Sequence, residues 1–169
     1  NQSLEIGGLP AGTLYTVKEK EANTNNYVTV VEGSAQITSE GGSGVIEEKT
    51  ASQVTFTNKL NIGSLVISKK VSVPDDNMTE RIKNDSFTFY VELTKPAGID
   101  GDLRNLVHTF GIMDGFDQIV APDQDGFEIT QPGKDQLNLT VVLKHGQMIT
   151  LSELPAGTTY TVTEADAKE

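Results

Sequence analysis

Apolar and polar residues alternate along most of this chain with the period of two that is typical of β-strands. Turn-forming residues separate the alternating runs, so the pattern predicts about eight to ten strands. One short helix is predicted at Asp102–Thr109, after an aspartate cap. Short strands at this spacing favour an all-β fold built from sandwiches. The clearest predicted strands are Tyr15–Val17, Tyr27–Val31, Val54–Thr57, Leu65–Val73, Phe87–Leu93, Leu137–Leu143, Met148–Leu151 and Tyr160–Val162.

One stretch of sequence occurs twice. Leu9–Glu19 reads LPAGTLYTVKE and Leu154–Glu164 reads LPAGTTYTVTE, with nine of eleven residues identical, which indicates an internal repeat. LPAGT resembles a sortase sorting signal, but its Gly and Thr are in the wrong order and no apolar tail follows. Both copies are therefore interpreted as turns that lead into strands. We place a boundary near residue 61, so that residues 1–61 form the C-terminal part of one sandwich repeat and residues 62–169 the larger N-terminal part of the next.

Three kinds of polar side chain fall on the apolar faces of predicted strands. Lys69 has the parity of the apolar residues in its strand, and so do Asn58, Glu19 and Glu164 in theirs. Dry surroundings favour the neutral forms of an amine and a carboxyl group. A neutral amine is a nucleophile, and a protonated carboxyl can donate a hydrogen bond to an amide oxygen and then pass a proton to departing ammonia. These residues could thus form a Lys–Asn side-chain amide bond without a cofactor.

Each of these residues also has a plain structural interpretation. Lys69 could extend its amine into water at a strand end. Glu19 and Glu164 could be charges on edge strands, and Asn58 could end its strand in a turn.

Four segments resemble the repeat domains of Gram-positive surface proteins and pilins, the collagen-adhesin B-type and streptococcal pilin-type sandwiches. They are GSLVISKKVS, FTFYVEL, LKHGQMITLSELPAGTTYTVTE and VTFTNKL, and the resemblance extends over nearly the whole chain as two incomplete copies. It implies tandem immunoglobulin-like β-sandwiches, with an isopeptide bond between a first-strand Lys and a last-strand Asn and with a Glu as catalyst. Lys69 and Glu164 then belong to the second repeat, and Glu19 and Asn58 to the first.

The resemblance places the missing partners outside the chain, with an Asn for Lys69 beyond residue 169 and a Lys for Asn58 before residue 1. A bond between Lys69 and Asn58 of one chain would need parallel strands too close in sequence for the crossover that such pairing requires. Strand exchange between two copies is an alternative. A third interpretation is that the sequence is an excerpt of a longer rod.

Composition limits the other classes of function. The net charge of −11 argues against binding to nucleic acid or to anionic membranes. The chain has no cysteine, so cross-links of another kind would replace disulfides. Asp123–Gly126 resembles part of a calcium loop but lacks further ligands, and a hairpin turn is predicted there. His108 and His145 lie far apart in sequence, so we expect no metal site and no cofactor.

The resemblance implies an extracellular structural module, a stalk or pilus-shaft repeat of a cell-wall-anchored adhesin, whose partners are neighbouring repeats of the same protein. A bond between first and last strands would take up a pulling force before the hydrogen bonds of the sheet do. The alternative is an adhesin module that binds a host protein or glycan through Pro96–Gly115 or Gly33–Ser52, although aromatic residues are few. The expected chemistry is self-directed and occurs once, so the chain is not expected to be an enzyme.

Overall fold

The computed structural model describes residues 2–72, 82 and 84–165, and this part of the chain is nearly all β. The chain divides into two compact units, Asn1–Asn61 and Ile62–Glu169. The first unit contains β1 (Leu14–Lys18), β2 (Tyr27–Glu32), β3 (Gln36–Ile37), β4 (Gly41–Val45) and β5 (Thr55–Leu60). The second contains β6 (Ile62–Ser68), β7 (Phe87–Thr94), α1 (Leu103–Leu106), β8 (His108–Thr109), β9 (Ile112–Asp114), β10 (Asp117–Val120), β11 (Phe127–Thr130), β12 (Gln136–Leu143), β13 (Gln147–Pro155) and β14 (Thr159–Glu164).

The first unit contains two small antiparallel sheets. One has the strand order β1-β4-β3, and the other pairs β2 with β5. The register of the second sheet places Thr29 directly opposite Asn58. Because side chains of directly opposed residues lie on the same face of a sheet, this pairing brings the two polar groups together.

Strand β4 lies in a glycine-rich segment. The segment Glu40–Gly44 has the composition of a turn, yet Gly41–Val45 pairs with β1 along its whole length. A Cβ atom on Gly41 would lie 2.2 Å from the Val17 carbonyl oxygen, so the close approach of the two strands excludes any larger residue there. Glycine is needed here for the approach of two backbones rather than for chain reversal.

The second unit contains a five-stranded sheet with the order β10-β9-β13-β6, in which β8 also pairs with β13, and a four-stranded sheet with the order β11-β12-β7-β14. All of these pairs are antiparallel. Both sheets contribute to one hydrophobic core, which is compatible with a β-sandwich. The core residues that are at most 2% exposed are Val91, Leu93, Leu103, Ile112, Phe127, Leu137, Leu139, Val141, Leu143, Ile149 and Leu151.

A bulge and a turn carry the chain from one sheet of this unit to the other. The register between β13 and β6 shifts after Leu151, where Glu153 has a φ of 60°. The turn that follows closes with a hydrogen bond of 2.7 Å from the Thr158 hydroxyl to the Pro155 carbonyl oxygen. Thr13 and Pro10 make the same bond at 2.7 Å in the first copy of the repeated motif. The interpretation of both copies as turns that lead into strands is confirmed.

Three other sequence predictions need correction. Strand β6 ends at Ser68, whereas the predicted strand continued to Val73, a residue outside the described part of the chain. After the end of β6, Lys69 N–H still donates to the Gln147 carbonyl oxygen. The helix is limited to α1, Leu103–Leu106, and the Asp102 side chain does not cap it. Asp123–Gly126 connects strands of different sheets and is not a hairpin turn.

Lys95 is a buried charge that the sequence pattern did not single out. Its side chain is 2% exposed and forms an ion pair of 3.0 Å with Asp135. Its amine also donates hydrogen bonds to the carbonyl oxygens of Ile99, at 2.6 Å, and of Gly101. One ammonium group thus satisfies the backbone of the loop that follows β7.

We expect Lys95→Met to lower the free energy of unfolding by about 2 kcal/mol, because two loop carbonyl groups lose their donor. Urea unfolding measures this difference. Lys134→Met is the matched control, since Lys134 lies nearby and is exposed. Equal stabilities of the two variants would show that the Lys95 contacts contribute little.

Candidate cross-linking site

The strand alternation of β6 directs Lys69 inward. Ile67 is buried, whereas Ser68 and Lys70 are exposed, and the Lys69 side chain is 15% exposed. The backbone of Lys69 stays attached to the neighbouring strand, because its N–H donates to Gln147 and its carbonyl accepts from Gly146. The predicted face of Lys69 is confirmed.

Glu164 meets this amine from the other sheet. It lies at the end of β14, opposite Phe89 of β7, and its side chain is 27% exposed. Lys69 Nζ donates to Glu164 Oε1 at 2.8 Å and to Oε2 at 2.9 Å. The two residues are 95 positions apart in sequence, so the fold brings together groups at opposite ends of this unit.

Two phenylalanines of β7 complete the surroundings of the amine. Lys69 Nζ lies 3.9 Å from the centre of the Phe87 ring and 5.9 Å from that of Phe89. Aromatic faces attract cations at these distances. The alternation of Phe87 and Phe89 on one strand could have indicated an aromatic surface, but nothing in the sequence linked it to Lys69.

A second polar cluster lies in the first unit. Asn58 Nδ2 donates to Glu19 Oε1 at 2.7 Å, so these two predicted residues are in contact. The hydroxyl of Thr29 lies 2.6 Å from Asn58 Oδ1 and 3.3 Å from Glu19 Oε2. Thr29 is only 6% exposed, whereas Asn58 is exposed. The prediction that Asn58 lies in dry surroundings is therefore wrong, because its sheet has, within the described residues, only the two strands β2 and β5. Sequence reasoning missed Thr29.

The contacts of Asn58 differ from the predicted ones in one respect. The carboxyl group was expected to donate to the amide oxygen, but Glu19 accepts a hydrogen bond from the amide nitrogen. The group on the amide oxygen is the Thr29 hydroxyl. The carboxamide is therefore held at both ends by two different side chains.

Each unit brings together two of the three kinds of group that the chemistry requires. The second unit pairs an amine with a carboxylate at Lys69 and Glu164, and the first pairs a carboxamide with a carboxylate at Asn58 and Glu19. In chemical terms the two clusters are complementary. The part of the chain that the structure describes contains no group of three or more His, Asp or Glu side chains placed to hold a metal ion.

The edge of the second unit next to Glu164 exposes apolar side chains. Tyr160 and Val162 of β14 are 59% and 37% exposed, while Leu93 and Val91, which lie directly opposite them on β7, are buried. A shallow groove nearby is lined by residues of β6, of the ends of β13 and β14, and of the turn between these two strands. Its apolar lining residues are Ile62, Leu65, Leu154, Pro155, Ala156 and Tyr160.

Fold and site together define an all-β protein with paired polar groups at strand ends. The chain belongs to the family described as Domain of unknown function (DUF7601), whose model matches residues 1–60 and 63–169. These two matched segments correspond to the two compact units. Comparisons with curated proteins and with solved structures gave no significant match. Among the described residues, no helix is both long and apolar enough to cross a membrane.

Proposed function

We propose that this chain is a structural module of an extracellular, wall-anchored Gram-positive surface protein, a stalk or pilus-shaft segment of tandem sandwiches. Lys–Asn isopeptide bonds formed by its own side chains stabilise it. The observation that supports this most strongly is the contact of the Lys69 amine with both carboxylate oxygens of Glu164, at 2.8 and 2.9 Å. The contact joins the segment that follows β6 to β14 of the other sheet, and both side chains are partly buried.

The bond forms by amide exchange. The Lys69 ammonium group gives one proton to Glu164, and the neutral amine then attacks the side-chain carbonyl carbon of an asparagine. A carbon–nitrogen bond to Nζ forms, and the bond from that carbon to the amide nitrogen breaks. Nζ gives up a second proton, and both protons go to the departing nitrogen, one of them through Glu164, so that this nitrogen leaves as ammonium. The reaction needs no oxidant and no cofactor. Because the fold holds the groups in contact, proximity supplies much of the acceleration.

The cluster at Glu19 and Asn58 supplies the other half of the same reaction. Asn58 is the carboxamide, and its lysine comes from the first strand of the same repeat or from a second copy through strand exchange. The exposed apolar edge at Tyr160 and Val162 supports such exchange, because an added strand would cover it.

Mass spectrometry of the full-length protein tests this proposal. We expect the folded protein to be lighter than its sequence by one ammonia for each bond, and digestion to release a branched peptide that contains Lys69. Lys69→Arg should remove that peptide while it keeps the positive charge. Lys70→Arg, at the neighbouring exposed position, should not affect it.

A folded protein of unshifted mass, with a free Lys69 amine in every species, would contradict the proposal. Covalent dimers linked through Lys69 and Asn58 would instead identify the second copy as the partner.

A binding module is the second candidate, favoured by one observation. Phe116 is fully exposed beside Gly115, between β9 and β10, with Phe110 43% exposed in the same region. Exposed aromatic rings at such a position are typical of a surface that recognises a protein or glycan. Saturable binding on a glycan array or in a pull-down with host proteins, lost in Phe116→Ala, would support this candidate.

A further inference from the structure

Thr29 is a buried residue in hydrogen-bond contact with Asn58 and Glu19, although no sequence pattern singles it out. It lies on β2 directly opposite Asn58 of β5, with 6% of its surface exposed. Threonine is common in strands and usually needs no explanation. A buried hydroxyl between a carboxylate and a carboxamide needs an explanation, because its single hydrogen can be donated to only one of the two groups.

The hydrogen bonds around the Thr29 hydroxyl indicate where its hydrogen points. The backbone N–H of Asn23 donates to Thr29 Oγ1 at 3.0 Å and so occupies one of its lone pairs. Two acceptors remain, Asn58 Oδ1 at 2.6 Å and Glu19 Oε2 at 3.3 Å. The shorter contact is the stronger one, so the hydrogen is directed at the amide oxygen.

This donor lies where negative charge develops during amide exchange. When an amine attacks the Asn58 carbonyl carbon, the electron pair of the C=O bond moves onto Oδ1. A donor placed at that oxygen before the reaction stabilises the charge without further rearrangement. Glu19, at the other end of the carboxamide, is in contact with the nitrogen that must leave.

We propose that Thr29 is a catalytic residue that stabilises the oxyanion formed at Asn58, while Glu19 transfers the proton. This inference rests on the proposed function and divides between two side chains the work that a single carboxyl group would otherwise do. Thr29 keeps its proton throughout. The attacking amine forms the new carbon–nitrogen bond, the old one breaks, and Glu19 returns the proton to the nitrogen that leaves as ammonia.

The test uses hydroxylamine as a small amine nucleophile and the intact chain as the substrate. Attack on Asn58 gives a hydroxamate, heavier by one oxygen atom, and releases ammonia. We expect the rate at Asn58 to fall by a factor on the order of 10 to 100 in Thr29→Val, which removes the hydroxyl but keeps the shape. Thr29→Ser should react at close to the wild-type rate.

Two further measurements distinguish the proposed catalytic role of Thr29 from a purely structural one. Asn23→Gly removes the side-chain oxygen that accepts from Thr29 N–H, at 3.1 Å, but keeps the backbone N–H and tolerates the φ of 56° at this position. It should weaken the loop without slowing the reaction. The hydrogen bond from the Thr29 hydroxyl polarises the C=O bond of the Asn58 carboxamide. Its loss in Thr29→Val should change the carbon-13 NMR shift of this carboxamide, whereas Asn23→Gly should leave the shift unchanged.

The failures of the two proposals are distinguishable. If wild-type Asn58 reacts no faster than the exposed Asn61, the bond-forming role of this cluster is wrong, and the role of Thr29 falls with it. If the wild type reacts rapidly and Thr29→Val reacts equally fast with an unchanged carbon-13 shift, only the Thr29 proposal is overturned.

Discussion

Replacing Glu164 with glutamine should slow cross-linking at Lys69 by a factor of about 100 or more, because the amine loses its proton acceptor. The glutamine side chain keeps the size of Glu164 and can still accept a hydrogen bond from the amine. It cannot take up the proton or return it to ammonia. The yield of the branched Lys69 peptide over time, measured by mass spectrometry, gives the rate.

The fold of the second unit should survive this change. The Lys69 and Glu164 side chains are 15% and 27% exposed, and the amine keeps a hydrogen bond to the glutamine oxygen, so we expect a loss of about 1–3 kcal/mol in the free energy of unfolding. Glu92→Gln is the matched control, since Glu92 lies on the adjacent strand β7 and is exposed. Cross-linking at the wild-type rate in Glu164→Gln would show that this carboxylate is a structural partner of Lys69 and takes no part in the reaction.

Phe127→Ala should lower the free energy of unfolding of the second unit by about 3–5 kcal/mol, the largest effect that we expect from a single core truncation. Phe127 lies on β11 opposite Val141, is 0% exposed, and belongs to the core shared by both sheets. Removing its ring leaves a cavity among rigidly paired strands that cannot close it. Urea unfolding, followed by circular dichroism, measures the loss.

Phe116→Ala provides the comparison for the core truncation. Its ring is fully exposed, so its removal should change the free energy of unfolding by about 0.5 kcal/mol or less. Similar decreases in the free energy of unfolding in the two variants would mean that Phe127 of β11 does not pack in the core as described.

The sequence was sufficient to orient Lys69, because the alternation of a strand determines the face on which each residue lies. It also singled out Glu164, Glu19 and Asn58 as candidates, and the structure places Glu164 next to Lys69 and Glu19 next to Asn58. The sequence could not identify Thr29. Threonine suits either face of a strand, and the contact of Thr29 with Asn58 depends on the register of β2 against β5, which is a property of the folded chain.

The fold could be predicted where strands were long and alternating, and was missed where they were not. β4 consists largely of glycine, and its strand conformation depends on close approach to β1 at Gly41. β8 has only two residues, His108 and Thr109, in a stretch predicted to be helical. In both places tertiary contacts override the local preference of the chain.

The opposite orientations of Lys69 and Lys70 determine which of the two amines reagents in the medium can modify. Aldehydes, reducing sugars and activated esters in the medium modify the amines that they can reach. Lys70 is exposed to them, whereas Lys69 is held between a carboxylate and an aromatic ring. Of these two neighbours, glycation or acylation would therefore fall on Lys70, and the Lys69 amine would be spared by such reagents.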